Sequence, residues 1–177
     1  MKLVARQLRT TKPSKAQLKK IKRRDIYFIL DDVLDTYNVG GIFRLADAVG
    51  VKKIYLCGQT ETPPNPRIKK ASINTTEWVD WEYQDSGSDA IAKLKKEIPD
   101  VQIIAVEQDK KSIPFSEIDY KLPLVFIVGN ETTGISNDVL KACDYIAEIP
   151  MWGVNKSLNV IISLGVVVYR AVGEIHE

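Results

Sequence analysis

Three short clusters of polar residues and glycine interrupt the apolar runs of this chain: "NVGGIFR" at residues 38–44, "GNETTGIS" at 129–136 and "NKSLN" at 155–159. In the first, Gly40 and Gly41 allow a ligand close to the backbone, while Asn38 is placed to cap a helix and Arg44, about a turn inside it, to face the same side. A plain helix cap followed by a surface arginine accounts for the same residues. In the second, Glu131 stands at the end of a strand between Gly129 and Gly134, which suits a carboxylate presented in a cleft; a solvated turn acid is the other reading. This is not a phosphate loop, because the lysine is missing and an acid stands where phosphates would sit. In the third, Asn155, Lys156, Ser157 and Asn159 break an apolar C-terminal stretch, and buried polar groups need partners. Ser157 reads as the N-cap of the last helix, at an end whose free N–H groups and positive dipole favour electron-rich ligands. Asn159 is left needing further bonds.

The elements that must position these clusters follow from the apolar pattern. "IYFIL", "KKIYLCG", "DWEY", "VQIIAVEQ", "LPLVFIVGNE" and "YIAEIPM" read as strands. Between them, "NVGGIFRLADAVG" reads as a loop running into a helix that ends at Gly50; "PRIKKAS", "SGSDAIAKLKKEI" and "SNDVLKACD" read as helices, and residues 157–175 as the last one. The strands are continuously apolar and do not alternate, as expected when both faces of a parallel sheet are covered by helices. The fold class is α/β. Ligands of such sheets bind beyond the carboxyl ends of the strands, where the loops at Asn38, Gly129 and Met151 emerge.

Charge divides the 177-residue chain in two. Ten lysines and arginines and no acid fall between Lys2 and Arg24, leaving 15 basic against 23 acidic residues in the remainder. The boundaries are a basic arm at 1–24 and a body at 25–177. Ser14 and Gln17 form a capping-box pattern opening a helix over residues 14–24. Such an arm suits a polyanion through Lys12, Lys15, Lys19, Lys20, Lys22, Arg23 and Arg24, with Arg67 and Lys69 of the "PRIKKAS" helix added; a solvated, partly disordered tail is the alternative. Cys57 and Cys143 lie far apart without metal-ligand spacing and no signal peptide opens the sequence, so no metal and a cytoplasmic setting are expected. The apolar run at 160–168 falls short of the ~20 residues of a membrane helix, so no membrane is expected.

Taken in order, the clusters resemble the SpoU or TrmH family of RNA 2'-O-ribose methyltransferases of the SPOUT superfamily. The residues that carry the likeness are "NVGGIFRLA", "LVFIVGNETTGIS" and "IPMWGVNKSLNV", within a match over about residues 26–173. The resemblance implies a Rossmann-like parallel sheet whose C-terminal segment is threaded into a trefoil knot, a rare exception among folds. It implies S-adenosylmethionine held by Gly129, Ile149, Met151, Leu158 and Val106, and a catalytic set of Arg44, Asn38, Glu131, Ser157 and Asn159. It also implies a homodimer in which the partner's Arg44 approaches each cofactor. The implied reaction is attack of a ribose 2'-hydroxyl on the sulfonium methyl group. The one histidine, His176, stands at the extreme C-terminus, and a guanidinium is no simple base. Two roles are open for Arg44: accepting the proton with help from a substrate phosphate, or staying charged while it orients the hydroxyl and activates it electrostatically; on the second, Asn38 supports it and Glu131 holds the arginine or a nearby backbone group.

The chain departs from many relatives in having "ASINTTEWVDW" where they carry an "SxGA" segment, and a short basic arm in place of an RNA-recognition domain. Structured RNA, transfer RNA before ribosomal RNA, is the expected partner. The alternatives are a catalytically silent RNA-binding or assembly factor that keeps the pocket, and an ordinary Rossmann-like or flavodoxin-like nucleotide binder. The lack of GxGxxG after the first strand speaks against the last.

Overall fold

A computed structural model describes residues 4–8 and 11–175; His176 and, in the arm, Lys2 and Arg9 lie outside the described residues. Seven strands are present: β1 (Arg24–Asp31), β2 (Val51–Cys57), β3 (Trp81–Gln84), β4 (Gln102–Val106), β5 (Ile113–Pro114), β6 (Leu124–Gly129) and β7 (Tyr145–Glu148). They form one sheet in the order β3-β2-β1-β6-β4-β7-β5, with every pairing parallel. The two-residue β5 was not among the expected strands, being too short for any apolar period to register.

The helices are α1 (Ala5–Leu8), α2 (Lys15–Leu18), α3 (Thr36–Val49), α4 (Pro66–Ser72), α5 (Gly87–Glu97), α6 (Asn137–Ala142) and α7 (Val160–Glu174). Continuous apolar strands are explained by cover on both faces. Ile26, Phe28 and Leu30 of β1 pack with Phe126 of β6 under α3, α4 and α7, and Tyr27 and Ile29 pack with Val125 and Ile127 under α5 and α6.

Local signals set the helix ends, with three corrections to the sequence reading. Ser14 and Gln17 do form a capping box, but α2 stops at Leu18 and the chain turns into β1 at Arg24, so the helix over 14–24 is not formed. The segment at 36–40 is helix rather than loop, because Asp35 accepts from Tyr37 N at 2.8 Å and caps α3; Asn38 lies inside the first turn. Gly50 ends α3 with φ +73°, as expected. Finally, α7 is capped by Asn159 and not by Ser157: Asn159 Oδ1 accepts from Ile161 N at 2.9 Å.

The paired glycines of α3 serve helix packing rather than a ligand. A Cβ on Gly40 would lie 2.6 Å from Ala71 Cβ and 2.7 Å from the carbonyl oxygen of Ile68, so α4 rests directly on the α3 backbone. A Cβ on Gly41 would collide with Ile161 of α7. The Gly40 approach seats α4 on α3, and the Gly41 approach brings the amino end of α7 onto it. The packing positions the site.

Candidate active site

A cleft of about 520 Å³ opens beyond the carboxyl ends of β4, β6 and β7. Val106 and Glu107 line it from the end of β4, Gly129, Asn130 and Glu131 from β6, and Ile149, Met151, Asn155, Ser157 and Leu158 from the segment after β7. All five positions expected to hold a cofactor, Val106, Gly129, Ile149, Met151 and Leu158, thus share one cavity, together with Glu131, Ser157 and Asn159 of the expected catalytic set.

The turn after β6 is folded back tightly. Asn130 and Gly134 exchange backbone hydrogen bonds, with Asn130 N donating to Gly134 O at 3.1 Å and Gly134 N to Asn130 O at 2.9 Å. Asn130 Oδ1 accepts from Thr132 N and Thr133 N, and its Nδ2 donates to Asp32 O at 3.0 Å. A Cβ on Gly129 would meet the backbone of Gly134 and Ile135, and Gly134 has φ +72° over the Glu107 carboxylate, so both positions call for glycine. Glu107 Oε2 accepts from Ile135 N at 3.0 Å and ties this turn to the end of β4.

One chain of hydrogen bonds joins the three sequence clusters. Glu131 Oε1 accepts from Asn38 Nδ2 at 2.8 Å and from Asp35 N at 3.1 Å, while Oε2 accepts from Leu34 N at 3.1 Å. Asn38 Oδ1 in turn accepts from Asn159 Nδ2 at 3.0 Å. Asn38 is only 5% exposed, so both ends of its amide are used in a poorly solvated place, and the carboxylate on one side and the amide on the other fix which way it points. Burial alone would raise the Glu131 carboxyl, but the hydrogen bonds from Asn38 and from backbone amides, those of Leu34 and Asp35 among them, outweigh it and hold the group below its ordinary value. The carboxylate stays ionised and joins α3 to the β6 turn.

Of the two roles expected for Glu131, the structure has the backbone one: it accepts from Leu34 N and Asp35 N, and from Asn38 as well, and does not hold Arg44. Other expected roles change. Asn38 supports Glu131 and Asn159 rather than the arginine. Ser157 lines the cleft, and its backbone N donates to Asn155 Oδ1 at 3.1 Å, but the fastening expected of Ser157 and Asn159 together falls to Asn159. Arg44 is exposed on α3 and does not line the cleft of its own chain.

The cationic positions also divide. Lys15, Lys19, Lys20, Lys22 and Arg67 are exposed. Lys12 and Lys69, also exposed, both pair with Glu77, at 2.6 and 3.6 Å. Arg24 opens β1, its N donating to Gly50 O at 2.7 Å. Arg23 is a correction: its side chain is 21% exposed, donates to Trp78 O at 2.9 Å and lies 3.8 Å from Asp47, which makes it an internal anchor and not a free phosphate ligand.

A profile of the SpoU rRNA Methylase family matches residues 25–169. The chain belongs to that family. This SpoU-family chain is 33% identical over 156 residues to a tRNA (guanosine(18)-2'-O)-methyltransferase of Aquifex aeolicus, covering 85% of the chain and 70% of the relative. It is 31% identical over 153 residues to the enzyme of the same name from Escherichia coli, covering 85% of the chain and 64% of that relative. The chain therefore spans about two thirds of the length of these relatives. Among solved structures, the A. aeolicus TrmH/SpoU tRNA modifying enzyme superposes with a TM-score of 0.78 at 29% identity, over 96% of this chain and 81% of that one. An AdoMet-bound rRNA methyltransferase from Sinorhizobium meliloti does so with a TM-score of 0.79 at 27% identity, over 89% and 59%.

The expected positions leave out other residues of the cleft, Glu107, Gln108 and Asn130 among them. Gln108 Nε2 donates to Lys156 O at 2.6 Å, joining the loop after β4 to the loop after β7. "EQD" directly after an apolar strand was the available signal, since strand carboxyl ends are where parallel sheets bind ligands. Among the described residues no group of three or more acidic, histidine or cysteine side chains could hold a metal, and no helix is long and apolar enough to cross a membrane.

Proposed function

We propose that the chain transfers a methyl group from S-adenosylmethionine to a ribose 2'-hydroxyl of structured RNA, transfer RNA before ribosomal RNA. The observation that carries this reading is the hydrogen-bond chain Glu131–Asn38–Asn159, which draws the three family motifs together at the rim of a cleft beyond the strand ends. The names of the relatives support the reaction and the RNA class. The cleft suits the cofactor: Gly129, packed tightly under the Gly134–Ile135 backbone, sets the turn at its edge, Ile149 and Leu158 offer apolar walls, and Asn155 and Ser157 offer polar groups. Bound there, S-adenosylmethionine supplies an electrophilic methyl on a sulfonium.

The protein's part is to place the hydroxyl and lower the cost of its proton loss. Arg44 is exposed and outside its own cleft, so the reading requires it to act at the cleft of a second copy. Support comes from α7, where Ile162, Val166 and Tyr169 form an exposed apolar stripe at i, i+4 and i+7, and α7 lies against the helix that bears Arg44. A homodimer through α3 and α7 covers that stripe and brings the partner's Arg44 toward the cleft. A guanidinium about 4 Å from the developing alkoxide is worth about 4 kcal/mol at an effective dielectric near 20.

The knot is part of the same proposal. Strand β7 lies between β4 and β5, which are consecutive in the chain, and the connection between those two holds Lys156 through Gln108. That arrangement supports a C-terminal segment passing beneath the β4–β5 connection. The arm at 1–24 is assigned to the RNA phosphates.

The test is transfer of labelled methyl from S-adenosylmethionine to RNA, with the product mapped for 2'-O-methyl nucleotides. Wild-type protein should label transfer RNA. Arg44→Lys should lose at least tenfold in kcat while cofactor binding persists, because an ammonium lacks the planar fork. Labelling of a base or a protein, or no labelling of any RNA, would overturn the proposal.

A further inference from the structure

Residues 73–77 do something that methyl transfer does not require of them. Ile73 and Asn74 both take left-handed backbone, with φ 52° and 65°. That region is costly for a β-branched residue and open to glycine; asparagine tolerates it and adds a side chain. The added amide is used: Asn74 Nδ2 donates to Leu8 O at 2.7 Å, across 66 positions of sequence. Three residues on, Glu77 pairs with Lys12 at 2.6 Å and with Lys69 at 3.6 Å. Next to it, Trp78 O accepts from Arg23, and the Trp78 indole donates to Asp47 Oδ1 at 2.8 Å. One short segment thus grips the arm near its start, its middle and its end. The same segment leaves directly from α4, whose Arg67, Lys69 and Lys70 are exposed.

We propose that Asn74 and Glu77 form a clip that lays the basic arm beside α4, so that Lys15, Lys19, Lys20, Arg67, Lys69 and Lys70 act as one cationic surface for an RNA phosphate backbone. The inference rests on the RNA reading above and adds to it how that surface is assembled. An arm left loose is ordered only at the moment of binding, at the cost of its conformational entropy, whereas a docked arm is preorganised. Asn74 and Glu77 are positioning residues: they act on RNA through the arm. Glu77 pairs with Lys12 on the arm and with Lys69 on α4, so it stands between the two halves of the surface.

Asn74→Gly tests the clip with little risk to the fold, since glycine takes φ near +65° without strain. It removes one hydrogen bond, so the arm should be cut by trypsin about five times faster and the KM for transfer RNA should rise about fivefold, with kcat and the KM for S-adenosylmethionine unchanged. Lys12→Glu should act in the same direction. Unaltered trypsin sensitivity in Asn74→Gly, or a loosened arm with unaltered RNA affinity, would each overturn the clip. Binding of transfer RNA without cofactor is measured separately by anisotropy. A protein that binds through the clip yet transfers no methyl would refute the catalytic reading and uphold this one.

Discussion

One wall of the cleft grows out of strand ends and the other is the loop at residues 151–158, and the polar groups of the two are treated in opposite ways. On the strand side, Glu107, Asn130 and Glu131 spend their side-chain oxygens on backbone N–H groups or on Asn38, and Gly129 admits no Cβ. On the loop side, every residue from 152 to 158 is exposed, Trp152 by 92%, and the contacts that steady it are Gln108 to Lys156 O and Ser157 N to Asn155. The first wall is preorganised and the second is completed by what binds. On the proposed function, a site that admits a cofactor and a large RNA, and releases both, benefits from that division: fixed geometry at the strand ends, low local stability at the exposed loop.

Substitutions on the strand side should therefore cost both stability and binding, and those on the loop side binding alone. Gly129→Ala should have the largest effect on cofactor binding, because the added methyl meets backbone rather than a movable side chain. About 1–3 kcal/mol of stability should be lost, and cofactor binding by calorimetry should vanish. Asn159→Ala removes the α7 cap, worth about 1 kcal/mol, and strands the Asn38 carbonyl, worth about 1–3 kcal/mol more. For a chain of this size Tm should fall by roughly 5–10 °C. Asn159→Asp, which keeps the cap and loses the donor, should also fall below wild type; a Tm equal to wild type would mean that the Asn38 bond contributes nothing. Gln108→Ala should be mildest, with Tm within about a degree and cofactor Kd raised about fivefold, as for the loss of one hydrogen bond. A large Tm loss there would place the loop with the rigid wall and erase the contrast.

The parts of the molecule legible in the sequence were those governed by local rules. Apolar runs marked the six longer strands, Gly50 ended α3, Ser14 with Gln17 formed its box, and the five positions that the family resemblance implied for a cofactor line one cleft. What was missed depends on residues distant in the chain. Ser157 and Asn159 are both competent caps two positions apart, and the choice falls to the one that also reaches Asn38 from 121 residues away. Gly40 and Gly41 fit ligand approach and helix packing equally well until Ala71 and Ile161 are seen against them. Arg23 looks like its neighbours in a basic run, yet Trp78 and Asp47 take it inside. Arg44 can be located in one chain, while its proposed work lies in another.

That last point is the most direct one to measure. Arg44→Ala and Glu131→Ala proteins, each expected to be inactive alone, should be mixed, dissociated, reassociated and assayed for methyl transfer to transfer RNA. If each cleft uses the partner's Arg44, the mixture should recover about a quarter of the wild-type rate, since half of randomly paired dimers carry one intact site of two. A mixture as inactive as its components, from protein shown to have exchanged subunits, would contradict the shared site.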